Sequence, residues 1–214
     1  MSIARGLIGW WRMDGNLNDA SGAGNHGVWQ TGSPAYSAGK YGQAGQFDRT
    51  GGTFTSNPCV ETVPSNSLQV PFTFAAWVRP DAISQSSSGA YRIFSRGEDA
   101  SSRGFLAIDN SAFAVSTSGG GTIEATTSFG LGVGVWAHLA CVWRDGGADL
   151  YVNGNFAVSG SGSLVGANAI PAVIGAQTAS YSRGFDGQID NAMIFNRALS
   201  PSEIKRLYAK GTPL

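Results

Sequence analysis

The chain has 214 residues, and its 14 Lys+Arg are matched by 14 Asp+Glu for a formal net charge of zero. That balance excludes the basic footprint of a nucleic-acid binder. The 42% hydrophobic content excludes wholesale disorder, and the unperiodic spread of 31 glycines excludes collagen.

The opening Met1–Trp11 holds one Arg and a short apolar stretch, less than the ~7–15 apolar residues of a cleaved export signal. No apolar run approaches the ~18 residues of a membrane span, so no membrane insertion is expected. From residue 72 onward, short alternating strands separated by Gly/Ser/Asn turns dominate. Phe72–Val78 alternates and stops at Pro80-Asp81. Tyr91–Ser95 is a second strand, and Gly104–Ile108 with Ala112–Ser116 makes a hairpin about Asp109-Asn110. Trp136–Trp143 turns at Asp145-Gly146-Gly147 into Ala148–Val152, which turns at Asn153-Gly154 into Phe156–Val158. Asn-Gly between apolar residues is a strong hairpin signal, because both central positions take φ > 0. Gly/Ser tracts at 84–89, 116–122 and 159–163 are sized for hairpin loops rather than linkers. Near the C-terminus, Ser200-Pro201-Ser202-Glu203 is a capping box, and Ile204, Leu207 and Tyr208 share one helix face. Gly211 ends that helix. Cys59 and Cys141 read as buried free thiols, with a disulfide as the other option. No internal repeat is visible, and residues 1–214 are expected to form a single domain.

The order of motifs resembles that of the laminin-G-like, concanavalin-A-like jelly rolls, in particular their bacterial and phage members. Five segments carry the likeness: Leu7–Asp19 with Ser21-Gly22 and Gly24–Gly27; Gly42–Asp48; Phe72–Pro80; Trp136–Leu139 through Leu150–Gly154; and Gly184–Asp190 through Phe195–Ser200 to Glu203-Ile204. The resemblance implies an all-β fold, a two-sheet antiparallel jelly-roll sandwich with one short C-terminal helix. That agrees with the strands and turns read from the residues themselves.

Chemistry is sparse. Glycosidases need paired carboxylates ~5–9 Å apart. The Glu-x-Asp-x-Glu triplet of related glucanases does not occur here. Asp145 with Asp149, or Asp186 with Asp190, lie four residues apart, which on a strand means ~13 Å. His138 sits in an alternating strand and reads as a sheet residue, and no Gly-x-Ser-x-Gly elbow exists. The chain is therefore expected not to be an enzyme.

Two site types are expected. Asn16–Asp19 and Asn25 form an oxygen-rich, Gly-rich loop. Family members hold calcium where the N-terminal loop meets the C-terminal strand. The resemblance implies one structural Ca2+ on Asp19, Asn25 and Asp190. The alternative is that Asp19 caps its own turn and Asp190 bonds a neighbouring loop. For sugars, aromatic rings in loop-like contexts are the candidates: Trp29, Tyr36, Tyr91 and Tyr181, with Tyr41 in a similar setting. Rim packing is the alternative for each. Trp77, Trp136 and Trp143 read as core.

The functional expectation is a non-catalytic binding or structural module displayed on a large assembly, a phage virion decoration or tail/fibre protein. It would be made in the host cytoplasm and carried on the virion surface. Its expected partners are other virion subunits, further copies of itself and surface glycans. A free-standing extracellular carbohydrate-binding or adhesion module is the alternative. A glycan-active enzyme is the most remote reading.

Overall fold

The computed structural model describes residues 3–49, 57–64, 67–83, 91–97, 104–109, 111–117, 121–124, 131–162, 164, 170–177 and 181–213. The strands in chain order are β1 (Leu7–Trp11), β2 (Val28–Gln30), β3 (Tyr36–Ala38), β4 (Gln43–Phe47), β5 (Cys59–Pro64), β6 (Phe72–Pro80), β7 (Tyr91–Arg96) and β8 (Gly104–Asp109). They continue with β9 (Ala112–Thr117), β10 (Gly121–Glu124), β11 (Ala137–Arg144), β12 (Gly147–Val152), β13 (Asn155–Ser161), β14 (Pro171–Ile174) and β15 (Gly187–Phe195), and helix α1 (Pro201–Lys210) closes the series. One sheet runs β13-β12-β11-β6-β15-β4-β3, with β1 also paired to β15; the other runs β10-β9-β8-β7-β14-β5-β2. The pairings are antiparallel, as in a jelly-roll sandwich.

Residues opposite one another on neighbouring strands share a face of the sheet. In the eight-stranded sheet the row Leu150, Cys141, Phe74, Ile194 faces the other sheet. In the seven-stranded sheet its counterpart is Trp29, Val60, Ile174, Phe94, Leu106, Val115. Between them the rings of Phe74 and Phe94 stack at 4.4 Å, and Trp143 stacks on Phe72 at 4.7 Å. Cys59 and Cys141 are free thiols; both are buried, one on an outer face and one between the sheets.

A second apolar layer lies outside the eight-stranded sheet. Its row is Tyr151, Ala140, Ala75, Met193, Trp10. Helix α1 closes over it with Ile204 and Leu207. The helix starts where the capping box predicts. Ser200 accepts from the Glu203 amide, and the Glu203 carboxylate accepts from the Ser200 amide. It stops at Gly211, whose φ of 70° is left-handed. The Asn153-Gly154 turn has φ of 50° and 76°, as a two-residue hairpin requires.

Strands read from alternation are present, most of them longer by a residue or two; β13 is four residues longer than Phe156–Val158, and β11 starts at Ala137, leaving Trp136 outside it and half-buried rather than core. The Ser/Gly tract at 84–89, together with Asn110, lies outside the described residues. Alternation misses β1–β5, β10, β14 and β15, and β15 shows most clearly why. It is nine residues long, buried throughout, and its register shifts between Asp190 and Met193, where Asn191 has φ 50°. Burial on both faces and a bulge together erase a period-two pattern.

Candidate functional site

Outside the seven-stranded sheet, one row of registered residues crosses five strands: Glu61, Val173, Ser95, Phe105, Ser116. The adjacent row contributes Arg92 opposite Ala107. Alternation puts these side chains on the face opposite Val60, Ile174, Phe94 and Leu106. Polar groups gather at the β5 end. The Tyr181 hydroxyl donates to Glu61 Oε1 at 2.5 Å, and Gln30 Nε2 donates to Glu61 Oε2 at 3.0 Å. The Tyr181 backbone is held by two bonds from Asn57, one from its amide and one from its side chain. Its own φ of 46° turns the ring toward Glu61. The hydrogen bond to Glu61, then burial, pushes the Tyr181 hydroxyl up to about 12. Burial, with the Glu61 charge adding to it, pushes the Cys59 thiol to about 12 as well. Both groups stay protonated near neutral pH beside a fixed carboxylate.

Further along the row, Ser95 is buried and its Oγ makes no hydrogen bond in the structure. The Arg92 guanidinium lies over the Phe105 ring, 3.1 Å from its centroid. The half-buried end of the row at Gln30, Glu61 and Tyr181 therefore presents an amide, a carboxylate and a phenol, while Ser95, Arg92, Val173 and Phe105 farther along are buried. Such groups bind polyols, with donors and acceptors at spaced positions and no nucleophile set free. The Glu61 carboxylate is engaged by two donors on separate oxygens.

Of the aromatic candidates, only Tyr181 joins this face. Trp29 belongs to β2 and stacks on Phe47 at 5.2 Å, with Tyr36 at 6.4 Å, so both complete the rim of the core. Tyr91 opens β7 rather than standing in an exposed loop. Its ring is buried in the main core, with Arg49 4.7 Å from its centroid. Alternation selects the reason: Tyr91 is on the inward phase of its strand. Trp143 is core as expected, and Trp77 is buried on the outer face of the other sheet. Glu61, Ser95 and Arg92 escaped the sequence reading. The signal that could have found Glu61 is Cys59-Val60-Glu61, which places an acid in an otherwise apolar alternating strand.

The calcium candidates separate. Asp19 Oδ1 accepts from the amides of Trp10 and Ser21, and Oδ2 accepts from the Ser21 hydroxyl and the Asn25 amide. Partial burial pushes the Asp19 carboxyl up, but these bonds outweigh it and hold it below its ordinary value. The Asn25 side-chain amide donates to Ile8 O. Asp190 accepts from Tyr41 N at 2.8 Å and from Asn191 Nδ2 at 2.7 Å. Asp19 and Asn25 thus come together, while Asp190 serves a different set of donors. Calcium takes six to eight oxygens. Here the lone pairs of Asp19 point at four protein donors, so the arrangement does not fit the ion. Among the described residues no group of three or more His, Cys, Asp or Glu is placed to hold a metal. What the carboxylates do instead is structural. Asp19 ties its own turn to β1, and Asp190 holds the turn between β3 and β4.

A sandwich of this topology defines a lectin-like class of domain. The chain belongs to the concanavalin A-like lectin/glucanases superfamily, whose family model matches residues 50–205. Among solved structures it is similar to domain 4 of AbnA, a GH43 extracellular arabinanase from Geobacillus stearothermophilus, in complex with arabinotriose. The identity there is 21% and the TM-score 0.72, covering 94% of this chain and 98% of that one. It is also similar to the botulinum neurotoxin type C structure whose cell entry depends on two ganglioside molecules, at 14% identity and TM-score 0.73. That match covers 98% of this chain and 52% of the other. The binding domain of Paraclostridial Mosquitocidal Protein 1 matches at 16% identity and TM-score 0.71, over 96% and 52%. The chain thus spans about half the length of the toxin structures. At these identities the likeness is one of fold. No curated protein sequence matches the chain.

Proposed function

We propose that this domain is a non-catalytic carbohydrate-binding module that receives a neutral glycan at the half-buried Gln30, Glu61 and Tyr181 end of its outer seven-stranded face. The observation that carries the reading is the half-buried Glu61–Tyr181–Gln30 hydrogen-bonded set. A carboxylate fixed by two donors has acceptor capacity left for vicinal hydroxyls, and the phenol orients it. The fold shared with an arabinotriose-bound domain supports the class of ligand. A module rather than a catalyst is favoured because Glu61 is tethered on both oxygens. Carriage on a phage virion, as decoration or tail protein, is the wider half of the proposal. A charged content of 13% supports burial in an assembly. Co-purification with capsid or tail proteins in a fixed ratio tests it.

The site is tested by a neutral-glycan array followed by titration of the best oligosaccharide. Glu61→Gln and Tyr181→Phe are each expected to weaken binding about tenfold, the scale of one hydrogen bond to a charged group. Melting temperatures should stay close to the parent. Unchanged affinity in both variants would remove this face from the reading. Turnover of the glycan would replace a module with an enzyme.

A further inference from the structure

Asn57 stands two residues ahead of β5 and is buried, with 1% of its surface exposed. A buried side-chain amide is unfavourable unless it is bonded. The Asn57 Nδ2 donates to Tyr181 O at 2.9 Å, and the Asn57 main-chain amide donates to the same oxygen at 3.0 Å. The Asn57 carbonyl in turn accepts from the Thr31 hydroxyl. Tyr181 carries the phenol that donates to Glu61 Oε1, and Thr31 directly follows Gln30, the donor to Glu61 Oε2. One buried residue is thus tied to the chain at both donors of the Glu61 carboxylate.

Both neighbours are held in a backbone conformation that they would not keep alone. Thr31 has φ 53° and Tyr181 has φ 46°. Side chains other than glycine rarely adopt this left-handed region, and β-branched ones least of all. Such residues persist where their surroundings over-determine them. Asn57 holds Tyr181 from one side, and β7 holds the residues that follow it. Arg92 N donates to Arg183 O at 2.8 Å, and Gly184 forms a parallel bridge to Arg92. Gln177 N donates to Ser182 O at 2.9 Å. Gly184 packs so closely on Asn57 that a Cβ there would lie 2.5 Å from the Asn57 Cβ and Cγ. The amide of Asn57 therefore sits in a fitted place, between Gly184 and the Tyr181 carbonyl.

We propose that Asn57 is a positioning residue: its side chain fixes the Tyr181 hydroxyl on Glu61, so that the binding site is formed before a ligand arrives. This rests on the reading of Gln30, Glu61 and Tyr181 as the glycan site. A pre-formed site does not have to order its own loop on binding, and its affinity is higher by that amount. Substituting the Asn57 side chain leaves both of its main-chain bonds in place. What is lost is the Nδ2 donor, one of the two that hold the Tyr181 carbonyl in its left-handed turn. Thr31→Val removes a different bond and loosens only the Gln30 side.

The experiment uses the full chain, Asn57→Ser and Thr31→Val, each with and without Tyr181→Phe. The first readout needs no ligand. Phenolate absorbance in the near ultraviolet is compared between each protein and its Tyr181→Phe counterpart, which isolates the one hydroxyl. In the parent the Glu61 bond, then burial, holds that phenol up at about 12, so it stays protonated at about pH 10.5. In Asn57→Ser it should ionise in large part there, and in Thr31→Val it should stay protonated. The second readout is affinity for the oligosaccharide that the neutral-glycan array selects. Asn57→Ser should weaken it about tenfold, as Tyr181→Phe does, and the two together little further, because both act through one hydroxyl. An unshifted phenol in Asn57→Ser would overturn the proposal. So would an equal shift in Thr31→Val, which would make any loosening of the region sufficient, or losses of affinity that simply add. Should Asn57→Ser fail to fold, Gly184→Ala, whose methyl crowds the Asn57 side chain instead of removing it, is read in the same way. A shifted phenol in a protein that binds no glycan would end the glycan reading and leave the positioning in place.

Discussion

Between pH 6 and 4.5 the parent protein is expected to hold a nearly level stability, while His138→Gln gains and Asp190→Asn loses about 2 kcal/mol over the same range. His138 and Asp190 flank Trp77 in one row, each its register partner on a neighbouring strand. Both are buried. Burial of His138, with its Nδ1 sealed and unbonded, drives the imidazole down to about 3 from its ordinary 6.5. The unfolded chain therefore takes up a proton that the folded chain refuses, and stability is lost as pH falls from 6.5 toward 3. Burial raises the Asp190 carboxyl from 3.8 to about 6, against the bonds from Tyr41, Asn191 and Lys40. The folded chain then takes the proton first, and stability is gained as pH falls from 6 toward 3.8. Each pH unit inside a window is worth about 1.4 kcal/mol, so the two slopes offset one another. Removing one group leaves the other's slope bare. Denaturant midpoints across the pH range for the three proteins check this. Parallel curves would show that neither group is held in the charge state its burial demands. The comparison is of slopes, so the fixed cost of each substitution drops out. Glu203, held down at about 2 chiefly by its hydrogen bonds to Arg197, loses its contribution only below 4.5, outside the window.

Trp143→Ala is expected to cost about 3–5 kcal/mol, a large part of the ~5–15 kcal/mol that holds a typical domain folded. The indole is fully buried. It stacks on Phe72 of its own sheet at 4.7 Å and meets Phe94 of the other at 5.8 Å. Its Nε1 donates across to Ser116 O at 3.3 Å. One side chain thus spans the sandwich, and truncation leaves a cavity that two rigid sheets cannot close. Trp143→Phe keeps the stack and should cost less. Phe156→Ala, at a ring 55% exposed, should fall within about 0.5 kcal/mol. Urea unfolding of the three variants measures the ranking. A Trp143→Ala protein as stable as the parent would mean that the sheets are held chiefly elsewhere.

What could be read from the chain follows the range of the interactions involved. The Asn153-Gly154 hairpin, the Ser200–Glu203 capping box and strands β6, β8, β9, β11 and β12 depend on residues a few positions apart. Their alternation and turn chemistry are written locally. Strand β15 was visible only as a motif, because its polar residues Gln188, Asp190 and Asn191 are buried and its bulge breaks the period. The candidate site shows the same division. Aromatic residues next to Gly and Ser looked loop-like, yet Trp29, Tyr36 and Tyr91 lie in strands whose inward phase only pairing decides.

By itself the sequence determined antiparallel strands joined by tight turns and a capped terminal helix, since strand period and turn residues act within one hairpin; the two-sheet sandwich was what the family resemblance implied. It also determined that paired carboxylates at glycosidase spacing are absent from any single strand. Only the tertiary structure decided which residues meet. Glu61, Val173, Ser95 and Phe105 come from four strands, and their shared row exists through interstrand register. Tyr41 and Gly211 are 170 positions apart in the chain, yet the Tyr41 ring packs on Gly211 at the end of α1. Register and docking are set by the burial of many side chains at once, so no local stretch of sequence carries them.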